Sequence, residues 1–228
     1  MKAVCLISGG MDSAVTAAIA KERGYGIYAL TFDYGQRHRK EIECAKKIGK
    51  WLKAREHKIL KIDLAQIGGS ALTDKGIEVP KGKTIAEIRK SKRIPATYVP
   101  ARNTILLSFA LAYAEVVGAD AIFIGANHID YSGYPDCRPE YFKAYQRMGN
   151  LATKRAVEGR KIKIDYPIIR LDKKGIVKLG TKLSVPFKLT WSCYAGGRKA
   201  CGRCDSCVLR KNGFFEAGLE DPIEYENR

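Results

Sequence analysis

Long apolar runs are missing from this 228-residue chain: the strongest, Thr104 to Ala114, soon meets Glu115 and falls well short of the roughly 20 residues that a membrane-crossing helix needs. No membrane span is expected. The first residues offer one lysine and a short apolar run leading straight into Gly-Gly-Met-Asp, without the length or small-residue cleavage site of a secretory signal, so a cytoplasmic protein is expected. Internal repeats and low-complexity tracts are also absent, which excludes solenoid and disordered architectures. Acidic residues are outnumbered 24 to 41 by lysine and arginine, leaving a formal net charge of +17. The basic clusters RHRK, RKSKR, KRAVEGRK and DKK are dispersed, which favours a solvated, ion-paired surface over a nucleic-acid stripe. A polyanion partner stays open, and a small anionic substrate would be attracted as well.

What is there is a chain long enough, and at 46% hydrophobic apolar enough, to bury the core of one large α/β domain with or without a small appendage. Apolar runs that read as strands (AVCLI, IYALTFDY, HKILKID, DAIFIGAN and IKIDYPII) alternate with helical patterns at Ser13 to Arg23, Lys40 to Lys53, Asn103 to Val117 and Glu140 to Val157. That alternation predicts a parallel twisted sheet with helices on both faces. Asn103 is the expected N-cap of its helix. The polar, Gly- and Pro-punctuated stretch from Ala65 to Pro100 is too long for an ordinary turn and reads as an excursion over the sheet edge. The expected division is an α/β domain over residues 1–170 and a tail over 171–228 holding one more amphipathic helix and a cysteine cluster.

Ligands of open parallel sheets bind at the carboxyl ends of the strands. Those ends carry SGGMDS, DYGQRH and GANHIDYSGYPDCR, three polar loops expected to converge. In the first, Ser8, Gly9, Gly10, Met11, Asp12 and Ser13 pass from a strand into a helix, so backbone N–H groups and two hydroxyls gather at the positive end of the helix dipole, where phosphate is a natural guest. No lysine follows the glycines, so this is not a Walker A loop, and it is not a G-x-G-x-x-G fingerprint. Asp12 beside a polyphosphate would repel it unless it held Mg²⁺. Simple helix capping by Asp12 or Ser8 is an equally good reading from spacing alone.

SGGMDS after a strand resembles the pyrophosphate-binding loop of the ATP-pyrophosphatase superfamily. Adding TFDYGQRH, VPARN, SGYPDCR and the closing CYAGGRKACGRCDSC, the chain is similar along nearly its whole length to the 7-cyano-7-deazaguanine synthase family, departing from its pattern at Ala101, where a glycine is usual, and around Asn127 and His128. The resemblance implies a ligase that converts 7-carboxy-7-deazaguanine, ammonia and ATP to the nitrile through an adenylated acid and an adenylated amide. It implies a homodimer for which nucleic acid is not required. Carried over residue by residue, the ATP contacts fall on Ile7, on Ser8 to Ser13, and on Ala14, Val15 and Thr16. Thr31 and Gly125, at strand ends, are candidates to flank the adenosine. Asp12, Ser13 and Arg102 are the catalytic candidates, Asp12 as the residue linked to Mg²⁺. A purine-like base with an anionic substituent needs an aromatic face, edge hydrogen bonds and a cation, which Tyr34, Gln36, Arg37, Ser132, Gly133, Tyr134, Asp136, Cys137 and Arg138 offer. Cys137 is read as a packing or substrate-contacting thiol, because acyl-adenylate chemistry needs no enzyme nucleophile. The rival functions are an RNA-thiolating enzyme of the same superfamily and a noncatalytic zinc-containing nucleotide sensor.

Four of the seven cysteines, Cys193, Cys201, Cys204 and Cys207, follow a C-x₇-C-x₂-C-x₂-C pattern. Four thiolates suit a closed, structural tetrahedral Zn²⁺, one per chain, with Arg198, Lys199, Arg203 and Arg210 near enough in sequence to offset its negative charge. An iron–sulfur cluster is the competing reading. Cys5 and Cys44 read as core residues.

Overall fold

The computed structural model describes residues 1–226 except His38, Lys92 and 128–132. Its centre is a five-stranded sheet in the order β3-β2-β1-β4-β5, formed by β1 Lys2–Leu6, β2 Gly26–Asp33, β3 Glu56–Lys61, β4 Ala121–Phe123 and β5 Lys163–Asp165. Every pairing is parallel, with Ala3 of β1 registered against Ile27 on one side and Ala121 on the other. The period-2 alternation of β1 explains why both faces are covered. Ala3, Cys5 and Ile7 pack with Ala14, Val15 and Ala18 of α1 (Met11–Glu22), Ile48 of α2 (Lys40–Trp51) and Ile176 of α7 (Lys173–Lys182). Val4 and Leu6 pack with Leu107 and Leu111 of α4 (Arg102–Val117) and Phe142 of α5 (Pro139–Ala152) on the other side. Successive β1 side chains therefore serve different cores. Among the described residues no helix is long and apolar enough to cross a membrane.

Three elements differ from the sequence reading. The helix α4 starts one residue early, and its N-cap is Ala101 in the left-handed region (φ 52°, ψ 21°). Asn103 lies inside the helix, where its amide donates to the Asp136 carbonyl at 3.1 Å and to Cys137 Sγ at 3.4 Å. Those buried partners outcompete its capping preference. The helix expected through Val157 is broken after α5: Thr153 is extended, its hydroxyl closes onto the Gly149 carbonyl at 2.9 Å, and a short α6 (Lys154–Val157) follows. Beyond Leu171 there are two helices instead of one, α7 and α8 (Asp205–Ala217), and α8 starts from Cys204 and carries Cys207.

The stretch after β3, which includes the short α3 (Ile85–Lys90), packs Leu72 and Val99 with Leu30 and Phe32 of β2 and also reaches the cysteine cluster. Ala71 and Val79 are buried with the four clustered cysteines. Gly82 N donates to Arg203 O at 3.0 Å, and Lys83 pairs with Asp205 at 3.1 Å. Two segments far apart in sequence thus build one thiol-rich module. It adjoins the main core, to which Val177, Val185, Phe187 and Phe214 contribute alongside α1.

Candidate active site

The chain leaves β1, turns, and enters α1, while β4 returns on the other side of β1, so the loops after these two strands border a topological switch point. The first loop is closed on itself. Ser8 N donates to Ser13 Oγ at 3.2 Å, Ser13 Oγ donates to Gly10 O at 3.0 Å, and Gly10 N donates to Ser8 Oγ at 3.2 Å. The Gly10 cap makes no side-chain capping bond, so neither Ser8 nor Asp12 serves as a conventional N-cap. Two glycines are required by close backbone approach. Gly9 has φ +86°, and a Cβ there would lie 2.1 Å from the Glu41 carbonyl oxygen; a Cβ on Gly125 would lie 2.8 Å from Ser13 N and Cα. The carboxyl end of β4 therefore rests on the mouth of α1.

A cavity of about 250 Å³ opens over this loop. Its lining includes Ile7, Ser8, Gly10, Met11, Asp12 and Ser13 with Gly125, and also Tyr34, Gln36, Arg102, Tyr134 and Cys137. Residues named from separate loops of the sequence thus line one cavity. Gln36 Oε1 accepts from Tyr34 N at 2.8 Å, which fixes the DYGQ turn. Tyr134 shares a hydroxyl hydrogen bond with Thr97 at 2.8 Å and sits 6.0 Å from the Tyr98 ring. Burial pushes the Tyr34 hydroxyl up against the lowering influence of Arg102, and burial likewise pushes Tyr134 up. Both hydroxyls therefore keep their protons near pH 7. Burial also pushes the Cys137 thiol up to about 12, which leaves it a thiol and not an attacking thiolate.

Other expected residues lie behind or beside the cavity. Gly9, Ala14, Val15 and Thr16 form the back of the loop and the first turns of α1, and Thr16 Oγ1 is buried without a hydrogen-bond partner among the described residues. Thr31 donates to Ile7 O at 2.6 Å and meets His57 Nε2 at 2.8 Å, so it braces the end of β1 from β2. Asp136 accepts from Asn103 N at 3.1 Å, holding SGYPDCR on the start of α4. Arg37 turns its guanidinium onto the carbonyls of Ala71, Asp74 and Ile77. The exposed Arg138 folds back onto Pro135 O at 3.1 Å, and Gly133 abuts Arg93 O. His128 and Ser132 lie outside the described residues. Asn127 donates to Leu171 O.

Sequence reasoning missed Glu41, Lys173, Trp191, Ser192, Tyr194, Ser206 and Arg210, all of which line the cavity. Lys173 opens α7 and places Nζ 2.7 Å from Asp12 Oδ2, supplying from 161 residues away the cation that the glycine loop lacks. The other Asp12 oxygen, Oδ1, is buried with no hydrogen-bond partner among the described residues, an arrangement fitted to a cation such as Mg²⁺. Trp191 N donates to Gly9 O at 2.8 Å, which ties the loop to the segment before the cysteines. The aromatic flanks of Cys193 in TWSCY were the available signal for that last wall.

The four clustered thiols are buried, and their sulfurs all lie within 4.8 Å of one another. Tetrahedral Zn²⁺ with bonds of about 2.3 Å needs sulfurs about 3.8 Å apart, so the set fits with a small contraction. Backbone N–H groups already point at the sulfurs: Cys201 N at Cys193 Sγ (3.3 Å), Cys204 N at Cys201 Sγ (3.4 Å) and Tyr194 N at Cys204 Sγ (3.5 Å). Such donors stabilise thiolate charge. The flanking cations are less available than their sequence positions implied, since Arg210 pairs with Asp221, Lys199 with Glu224 and Arg203 with Glu226.

A parallel sheet with a self-closed glycine loop at its switch point, backed by a four-thiol module, defines an α/β protein built to receive an anionic ligand and able to hold a structural metal. The chain belongs to the QueC family: residues 2–218 match the family described as "Queuosine biosynthesis protein QueC". Among curated relatives, the 7-cyano-7-deazaguanine synthase of Desulfatibacillum aliphaticivorans is 57% identical over 98% of this chain and 96% of its own. The protein of that name from Acetivibrio thermocellus is 55% identical over 100% and 99%, and the one from Anaeromyxobacter dehalogenans (strain 2CP-C) 53% identical over 98% and 95%. None of these three names is that of an RNA-thiolating enzyme.

Proposed function

We propose that the protein is an ATP-dependent carbon–nitrogen ligase that makes 7-cyano-7-deazaguanine from 7-carboxy-7-deazaguanine and ammonia, acting in the cytoplasm as a homodimer without a need for nucleic acid. The observation that carries this reading is a cavity lined both by the glycine loop with Lys173 and by Arg102, Tyr34 and Tyr134. A carboxylate cannot expel oxide when an amine attacks, and an amide cannot shed its oxygen to become a nitrile. Both barriers fall when the oxygen is first transferred to the α-phosphorus of ATP, because AMP then leaves. The chain's share is positioning and charge stabilisation. Backbone N–H groups at Ser8 to Ser13 and the Ser8 and Ser13 hydroxyls receive the β- and γ-phosphates. Lys173 offsets their charge, and Asp12 would hold Mg²⁺, which supplies neutralisation of the departing pyrophosphate. Arg102 orients the carboxylate of the base, whose ring lies between Tyr34 and Tyr134. Cys193, Cys201, Cys204 and Cys207 would hold Zn²⁺ as a closed structural site.

Incubation with ATP, Mg²⁺, ammonium and 7-carboxy-7-deazaguanine, followed by mass analysis, tests the reading. The expected products are the amide, the nitrile, AMP and pyrophosphate. Formation of ADP and orthophosphate instead, or no acid-dependent consumption of ATP, would overturn it.

A further inference from the structure

The proposed reaction needs a nucleophile that reaches the site as a cation. Ammonium is the dominant form near pH 7 and has no lone pair, so it must be held and must lose a proton where the acyl carbon is attacked. The cavity is poor in groups for either task. Among the described residues, its lining cations are Arg102, Lys173 and Arg210, and its lining carboxylates are Asp12 and Glu41. Asp12 is engaged with Lys173 at 2.7 Å. Glu41 stands in the first turn of α2, whose backbone carbonyl at that residue presses against Gly9 of the loop. Its carboxylate makes no hydrogen bond or ion pair within the described residues. The acidic neighbour in the same turn, Glu43, is exposed, so complementing the helix dipole does not explain why Glu41 faces the cavity.

Resting on the ligase reading above, we propose that Glu41 is the ammonium receptor of the site and the base that converts ammonium to the attacking amine. The proton passes from nitrogen to the Glu41 carboxylate, the freed lone pair forms the C–N bond to the adenylated carbonyl, a second proton is lost to water, and the C–O bond to AMP breaks. Burial pushes the Glu41 carboxyl up, against the lowering influence of Arg102. Tyr34 and Cys44 are the other titratable groups that sense it. A carboxyl raised above its ordinary range has more of the basicity needed to take a proton.

Hydroxylamine separates this role from the rest of the reaction, since it is a neutral nucleophile near pH 7 and needs no prior deprotonation. In Glu41→Gln, acid-dependent exchange of labelled pyrophosphate into ATP should stay within about twofold of wild type, and hydroxamate should form from hydroxylamine at a similar rate. Amide formation from ammonium should fall by about 10²-fold, the lower range of what a positioned base contributes. Glu41→Asp, which retracts the carboxylate by one methylene, should raise the KM for ammonium while leaving exchange intact. Wild-type amide formation from ammonium by Glu41→Gln would overturn the proposal. So would loss of exchange in both variants, which would make Glu41 a support of the adenylation site. Absence of exchange in the wild-type protein would overturn the ligase reading itself, and the Glu41 assignment with it.

Discussion

Lys173 Nζ lies 2.7 Å from Asp12 Oδ2, joining the first turn of α7 to the first turn of α1 across the mouth of the glycine loop. Each residue answers a difficulty created by the other's neighbourhood. Asp12 alone would repel phosphate, and a lysine held there alone would lack a fixed direction. Asp12→Ala is expected to abolish acid-dependent pyrophosphate release. Lys173→Met should lower it by about 10²- to 10³-fold, as loss of one preorganised charge-stabilising group does. Both variants should fold, because the pair is partly open to the cavity, with side-chain exposures of 10% and 27%. A pyrophosphate-release assay at saturating ATP reads the effect, and a near-normal rate in Asp12→Ala would remove the loop from the chemistry.

Ala101 is one of three non-glycine residues with positive φ among those described, and it caps the helix that carries Arg102. The left-handed region costs an L-residue with a Cβ about 1 to 2 kcal/mol, against a smaller entropic cost for glycine. Ala101→Gly should therefore raise stability by about 0.5 to 1 kcal/mol in thermal or denaturant unfolding. A loss of stability would mean that the Ala101 methyl makes contacts worth more than the strain.

How far the sequence could be read depends on whether an interaction is local. The five strands are apolar runs whose neighbours differ in period, and the glycine loop is a strand, a turn and a helix in direct succession, so all were legible. The Asp12–Lys173 pair joins residues far apart in the chain, and no local pattern marks Lys173 within DKK. Asn103 illustrates the opposite failure: a sound local preference for capping lost to Asp136 and Cys137, which fold brings beside it. The helix α8 escaped notice because its inward face carries a metal-ligand candidate, Cys207, and a buried arginine, Arg210, where a helical apolar stripe would be sought. The Ala65 to Pro100 stretch has little regular structure, so its packing on the cysteine module had no periodic signal.

The thiol module should bind one zinc per chain. The four buried sulfurs lie within 4.8 Å of one another and already face backbone N–H donors, so the ligand set is gathered before metal arrives. Cys204→Ser should lower zinc content measured by elemental analysis and reduce stability by roughly 4 kcal/mol or more, the range reached when a structural metal is lost. Because Lys81 pairs with Cys204 and Val79 packs on the thiols, protease sensitivity should rise between residues 70 and 90 as well as in the tail. Bound iron with visible absorption would replace zinc by an iron–sulfur centre.

Arg210 is the largest fully buried side chain in the protein among the described residues, at 1% exposed, and it lines the cavity from behind. Its guanidinium donates to both Asp221 oxygens, at 2.8 and 2.9 Å, to Thr190 Oγ1 at 2.7 Å and to Phe187 O at 3.2 Å. Tyr225 donates to the same aspartate at 2.6 Å, so the chain after α8 is tied to the segment that carries Trp191 and Cys193. A buried ion pair is worth little against an apolar replacement but much against removal of one partner. Asp221→Ala strands the guanidinium and should cost about 3 to 5 kcal/mol in denaturant unfolding. The double variant Arg210→Met with Asp221→Ala leaves no charge behind, and should be more stable than Asp221→Ala alone. If the double variant is instead the less stable, the carbonyl and hydroxyl bonds of Arg210 outweigh its charge, and the clamp holds the cavity wall through hydrogen bonding without need of Asp221.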